Sequence, residues 1–307
     1  MSSAGQEVIT TPLTAPFTAL AVIAAGGRPV FADIDEETLL LSPERAAAAR
    51  TPNTAAFLPV HLYGQTCDLD RWRTVVEATG AALVQDACQA HGALHSGLPL
   101  TRCSRFVAYS FYPTKNLGAL GDGGALALDG DEDAERARSL RDGGRTGAHV
   151  SEVPGINSRL DELQAAWLRV ALQRLAGWND TRRRLADIYD EELAGVPREL
   201  LRPVGRRAGG DHVYHLYVVR TPRRDALRDE LARHNIGTGI HYPVPLHLQP
   251  AFTGCGSRAG DLPVAERAAR EILSLPIGPH LSEEHVRIVA RHIRRFLLSP
   301  AAPRPAI

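Results

Sequence analysis

A chain of 307 residues with 44% hydrophobic and 23% charged side chains has the makeup of a globular protein with one large core or two unequal domains, and it is neither fibrous nor disordered. Thirty-five basic residues balance thirty-five acidic ones, so no general field exists to hold nucleic acid or an anionic membrane, although small anionic ligands remain allowed. The four cysteines, Cys67, Cys88, Cys103 and Cys255, stand far apart without a CxxC pair, which argues for free thiols and against structural zinc. The opening MSSAGQEVITT lacks a leader pattern and no apolar run reaches spanning length, so the expected location is the cytoplasm.

In chain order, EVITT (7–11) reads as a short strand, followed by Pro12 and a helix from Phe17 to Ala25 that ends at Gly26-Gly27. PVFADID (29–35) is the next strand, and Ser42-Pro43-Glu44 opens an alanine-rich helix to Arg50. AAFLPVHLYG (55–64) is a third strand; Asp68 or Asp70 caps a helix through Ala78, and AALVQDACQAHGA (81–93) gives a strand ending at Asp86. This alternation over 7–140 predicts an α/β fold with a mainly parallel sheet flanked by helices, its functional groups gathered at the carboxyl ends of the strands. From Asn157 the apolar spacing becomes helical, through Leu160, Leu163, Trp167, Val170, Leu172, Leu175 and Trp178. That predicts a long helix or helix pair, with a break at Gly177 and a buried aromatic stripe. An alternating strand in DHVYHLYVVRT (211–221), a helix at 224–234, a Pro- and His-rich loop (237–252) and helices near 263–273 and 282–297 complete a smaller α+β domain. The expected division is a large domain over 1–178 and a small C-terminal domain over 179–307.

The most informative stretch is FVAYSFYPTKNLGALGDGGAL (106–126), where an apolar strand stops at Tyr112-Pro113 and leaves Lys115 in a turn ahead of several glycines. A lysine there can be an ion-pair partner, a phosphate ligand or an amine nucleophile, and residue type alone favours a structural role. Yet Lys115 is the one lysine of the chain, every other basic residue being arginine, and only an amine forms a Schiff base. A carbonyl cofactor such as pyridoxal phosphate needs a carboxylate at its ring nitrogen and donors for its phenolate and phosphate oxygens. Asp86, Gln89 and Ser110 are of the right types; each also has a plain structural alternative, as a helix cap, a solvated amide and a core hydroxyl.

EVITTP, PVFADID, PVHLYGQ, QDACQAHGA, SFYPTKNLGALGDGGAL, NSRLDELQAAWLRV and GIHYPVPLHLQPAF together resemble, in order, the DegT/StrS family of sugar aminotransferases, fold type I pyridoxal phosphate enzymes. The resemblance runs from about Glu7 nearly to the end. It implies that pyridoxal 5'-phosphate is bound covalently by Lys115, with Asp86 on the ring nitrogen, Gln89 on the phenolate oxygen and Ser110 on the phosphate. It places Asn157 at a position that reaches the neighbouring subunit's cofactor phosphate, implying a homodimer with shared sites, and it puts Arg159 and His241 near the substrate. The implied reaction is transamination of a nucleoside-diphosphate-linked keto-deoxysugar, with a 3-keto sugar preferred and glutamate as donor, in amino-sugar biosynthesis. Lysine at 115 favours transamination over the dehydration of relatives with histidine there.

The sequence also departs from the pattern. It starts beyond the helix and Gly-Thr or Gly-Ser turn with which family members bind the phosphate, so it reads as an N-terminally shortened member. Ala15 stands where an aromatic usually stacks on the pyridine ring, with Phe17 a substitute only if the backbone shifts, and Ile156 and Gly143 replace a common aromatic and histidine. Weaker cofactor retention is expected, with covalent attachment through Lys115 preserved. Alternatives are a pseudoenzyme acting as scaffold or regulatory partner, a nucleotide-dependent oxidoreductase using GALGDGG, which lacks GxGxxG spacing, and a metal site at His241 and His247. No carboxylate near those two histidines favours the last, and no metal is expected.

Overall fold

The computed structural model describes residues 5–147 and 149–299. The first half builds β1 (Glu7–Thr10), α1 (Pro16–Ala24), β2 (Arg28–Phe31), α2 (Pro43–Ala48), β3 (Thr54–Leu58), α3 (Leu69–Thr79), β4 (Ala82–Asp86), a short hairpin of β5 (Leu94–His95) and β6 (Leu98–Pro99), β7 (Phe106–Ser110), β8 (Gly124–Leu128) and α4 (Asp131–Arg141). The second half adds α5 (Glu162–Leu172), α6 (Leu175–Leu193), β9 (Arg202–Pro203), β10 (Tyr217–Arg220), α7 (Arg224–Arg233), α8 (Pro263–Glu271), β11 (Ile272–Leu275) and α9 (Glu283–Leu298). The central sheet has the order β2-β1-β3-β4-β7-β8; its strands are parallel except β8, which runs antiparallel to β7 at the edge. The expected α/β fold with a mainly parallel sheet flanked by helices is therefore present, beside a small antiparallel sheet β11-β10-β9.

Local chemistry sets the helix starts. Ser42 Oγ accepts the Arg45 N–H at 3.3 Å with Pro43 in the first turn of α2, and Asp68, not Asp70, caps α3 through the Arg71 N–H at 3.2 Å. Gly80, at φ 70°, closes α3 in the left-handed conformation that glycine adopts without a Cβ penalty. Two buried clusters organise the packing. One joins the central sheet to α8 and the 246–255 segment, through Ile9, Phe31, Phe57, Trp72, Phe252 and Ala265 among others; the second joins α6, α7 and α9 to β10 and β11.

Several expected boundaries move for physical reasons. The strand expected over 29–35 ends at Phe31, because Asp33 leaves the sheet and accepts the N–H groups of Val264 and Ala265 at 3.0 and 2.9 Å, in the first turn of α8. The strand within 81–93, by contrast, ends at Asp86 as expected, and consecutive turns follow, with Ala90 N–H donating to Ala87 C=O and Ala93 N–H to Ala90 C=O. The strand expected over 211–221 shrinks to β10. Helix breakage falls at Gln173–Arg174, and Gly177 lies inside α6 with open space where a Cβ would be. The aromatic stripe of α5 is not buried within the chain: Leu163 is 74%, Val170 63% and Trp167 45% exposed, while Trp178 packs against Leu117, Leu168 and Leu175. Periodicity identifies residues that share a helix face and says nothing of what covers that face.

Candidate active site

β4 and β7 are parallel neighbours, with Asp86 opposite Ala108, so Asp86 and Ser110 leave the sheet along the same carboxyl edge. After Ser110 the chain coils tightly: Lys115 N–H donates to Tyr112 C=O at 2.8 Å and Ala119 N–H to Phe111 C=O at 2.7 Å. A Cβ at position 118 would lie 2.4 Å from the Pro113 carbonyl oxygen, so the turn that presents Lys115 requires Gly118.

Lys115 is half-buried, and among the described residues its amine makes no hydrogen bond or ion pair. Burial lowers its pKa from the ordinary lysine value, against the opposing pull of Cys88 and the Asp86 carboxylate. An amine held this way is neutral, and therefore nucleophilic, at lower pH than a solvated lysine. Asp86 is oriented from two sides: the Thr18 hydroxyl donates to Oδ2 at 2.8 Å and the Cys88 N–H to Oδ1 at 3.1 Å. Thr18 in turn bonds Thr14 at 3.2 Å.

Gln89 is buried, its Oε1 accepting the Tyr63 N–H at 2.6 Å and its Nε2 donating to the Tyr242 hydroxyl at 3.1 Å. Tyr63 reaches this position with φ 61°, uncommon for a bulky residue, and its hydroxyl donates to the His241 carbonyl at 2.6 Å. Ser110 Oγ accepts the Tyr112 N–H at 3.2 Å, which leaves the hydroxyl proton uncommitted. His91, buried against the rings of Tyr109 and Phe111, has neither ring nitrogen in a hydrogen bond, and burial lowers its pKa to about 4. His241 Nδ1 lies 2.9 Å from Ser274 Oγ; burial, and then the charge of nearby Lys115, lower its pKa.

The structure thus gathers Asp86, Gln89, Ser110, Lys115 and His241 at one edge of the sheet. Arg159 is elsewhere, paired with Asp142 at 2.6 Å and lining a cavity of about 840 Å³ beside β8 with Arg138, Arg141 and Asp161. Asn157 is exposed on the loop between α4 and α5, bridged through its backbone to Asp142. His247 is buried against Glu266 at 3.1 Å, a carboxylate that the sequence reading did not supply, and the described residues contain no cluster of three metal-ligating groups. Phe17 is 75% exposed and makes no ring contact among the described residues, and Ala15 is the N-cap of α1. Sequence reasoning missed Thr18, Tyr63 and Tyr242. The last adjoins His241 in the quoted GIHYP segment, which is a usable signal; the first two carry none.

These groups fit pyridoxal phosphate on observations of the site itself. An unpaired amine faces an oriented carboxylate, Ser110 has a free hydroxyl proton, and Gln89 has a second amide N–H beyond the one given to Tyr242. Residues 2–294 match the DegT/DnrJ/EryC1/StrS aminotransferase family. The chain is 46% identical over 292 residues to the dTDP-3-amino-3,4,6-trideoxy-alpha-D-glucose transaminase of Streptomyces venezuelae, covering 95% of this chain and 76% of that protein. It superposes on the crystal structure of S. venezuelae DesV in complex with a ketimine intermediate with a TM-score of 0.94 at 43% identity, over 97% of this chain and 80% of that one. NtdA from Bacillus subtilis, solved with bound cofactor PMP, matches with a TM-score of 0.87 at 29% identity, over 97% of this chain and 69% of that one. The chain belongs to the DegT/DnrJ/EryC1/StrS aminotransferase family and has the fold of the type I aminotransferases.

Proposed function

We propose that this aminotransferase transfers the amino group of glutamate to a nucleoside-diphosphate-linked 3-keto-deoxysugar, in amino-sugar biosynthesis, with pyridoxal phosphate as cofactor. The observation that carries the reading is the chain's one lysine, half-buried and unpaired beside Asp86 at the carboxyl ends of β4 and β7. The name of the S. venezuelae relative, a 3-amino-sugar transaminase, supports the 3-keto choice.

When bound, the cofactor supplies an aldehyde for the lysine and a pyridine ring that acts as electron sink. Lys115 Nζ is the acid–base group that takes the proton from the donor's Cα and returns one to the sugar carbon on the way back. Asp86 keeps the proton on the ring nitrogen, since an oriented carboxylate stabilises that cation. Gln89 steadies the phenolate oxygen and Ser110 donates to the phosphate. Asn157 and Arg159, both exposed away from their own chain's site, serve the site of a second copy in a homodimer, while His241 serves the substrate within its own chain.

The test uses purified chain loaded with the cofactor. Wild type should show a visible-range band that Lys115→Ala lacks, and should release a single equivalent of 2-oxoglutarate per site from glutamate alone but turn over repeatedly only when a keto sugar is supplied. A spectrum unaltered by Lys115→Ala would remove Lys115 from the reading; turnover with 4-keto but not 3-keto sugars would remove the regiochemistry.

A further inference from the structure

The residue after the lysine, Asn116, is buried and fully bonded. Its Nδ2 donates to Asn179 Oδ1 at 2.8 Å and to the Val213 carbonyl at 2.9 Å, and its Oδ1 faces His215 Nδ1 at 3.2 Å. Asn179, on α6, uses its own Nδ2 on the His91 carbonyl at 2.8 Å. The two backbone carbonyls can only accept, so both amides have a single allowed orientation, and Asn116 must present oxygen to His215. His215 is therefore fixed with its proton on Nδ1, and burial keeps the ring neutral.

The surrounding backbone is shaped to admit this network. Gly92 has φ +76° and a Cβ there would lie 3.0 Å from Asn179 Nδ2; Gly64 has φ +94° and a Cβ there would lie 2.9 Å from the His215 N. Four separate stretches meet: the turn after β4 that carries Asp86 and Gln89, the turn of Lys115, helix α6, and the segment leading into β10. A reacting amine must be held within a fraction of an ångström of its partners to be effective, and the side chain of Lys115 has no bond of its own to hold it.

We propose that Asn116, locked by Asn179, Val213 and the Nδ1–H form of His215, is a positioning residue that fixes the Lys115 turn relative to the Asp86–Gln89 turn. This rests on Lys115 being the reacting amine. Breaking the clamp releases the turn, hydrates the amine and moves its titration toward that of a solvated lysine. Because an asparagine amide places its N–H where Nδ1–H lies, whereas glutamine places it near Nε2, His215→Asn preserves the clamp and His215→Gln does not.

The one lysine makes a direct readout available. Full chain free of cofactor and labelled at lysine Cε gives a single side-chain signal, whose pH titration reports Lys115 alone. The expected result is an upward shift of about one unit, with line broadening, in Asn116→Ala and His215→Gln. His215→Asn should follow wild type, and so should Leu231→Ala, a core truncation in α7 that lowers the melting temperature without touching the network. An unshifted Lys115 titration in Asn116→Ala, at whatever melting temperature, overturns the proposal. Should that variant fail to fold, the His215 pair decides: identical behaviour of Asn and Gln overturns it equally. The signal does not depend on cofactor attachment, so the two failures are distinguishable: a failed Lys115→Ala absorption test strikes the functional reading, and an unshifted Asn116→Ala titration strikes the clamp alone.

Discussion

Thr18 illustrates how much of the site rests on single side chains that carry no chemistry themselves. Its hydroxyl and the Cys88 N–H are the two donors that orient Asp86, and a hydrogen bond to a charged group contributes about 1.5–3 kcal/mol. Thr18→Val keeps the shape and deletes the donor; the expected outcome is roughly tenfold weaker cofactor retention, since about 1.4 kcal/mol is a factor of ten. Thr18→Ser should restore it, and equilibrium titration of the visible band checks both; equal retention in the valine variant would remove Thr18 from the site. Lys115 and Asp86 drew attention in the sequence because an isolated lysine before a glycine-rich turn and an acid ending an apolar run stand out by type and neighbourhood, whereas Gln89 and Ser110 were assigned a role only through the family resemblance. Thr18 was not, because its bond to Asp86 closes a separation of 68 residues and it sits in a helix of small residues where threonine is unremarkable. Asn116 was visible as a letter beside the lysine, but its partners, 63 and 97 residues away, were not.

At the scale of elements, helix α8 shows why a motif can be read correctly and its purpose missed. Asp33 belongs to the PVFADID segment, which was read as a strand. It places its carboxylate on the first-turn N–H groups of α8, from 231 and 232 residues away, and also pairs with Arg45 at 3.0 Å. Asp33→Ala leaves two buried N–H groups unsatisfied, so a loss of about 2–3 kcal/mol in urea unfolding is expected. Asp33→Asn, which keeps one acceptor, should lose less. A change within about 0.5 kcal/mol for the alanine variant would show that water replaces the carboxylate. Helix caps and chain order were legible because they follow local rules. The outward face of α5 was not, because helical spacing looks the same whether a neighbouring element or a second copy buries it. We propose that this is the face the homodimer buries, so Val170→Asp should shift the molar mass in light scattering toward the monomer; an unchanged dimer mass would place the contact elsewhere.

For the molecule as a whole, the buried imidazoles set the response to acid. His61, wholly buried, accepts the Cys67 N–H at Nδ1 and gives its Nε2 proton to Gln85, and burial holds its pKa at about 4; His91 is likewise near 4 and His212 near 3. In the unfolded chain these groups titrate near about 6.5, so between there and about 4 the unfolded state binds the more protons. Their contribution to stability is therefore present above pH 6.5 and is lost as the pH falls toward 4, by up to about 1.4 kcal/mol per unit for each histidine. The carboxylate cluster that ties the loop after β2 to the second half of the chain acts later. Glu36 is opposed by burial but held below the usual carboxylate range by Arg220 and Arg267, so its contribution persists above the ordinary glutamate value near 4.5 and fails only beneath it. Arg220, 2% exposed, pairs with both Glu36 and Glu271, at 2.8 and 2.7 Å. Urea midpoints measured at pH 7, 6 and 5 should thus fall steadily, and the fall belongs mainly to the histidines, because the Glu36 contribution is lost chiefly at lower pH. A Glu36→Gln variant should parallel the wild-type slope across that range while lying below it throughout; a flat wild-type profile from pH 7 to 5 would mean that the buried rings are protonated without cost, which their burial forbids.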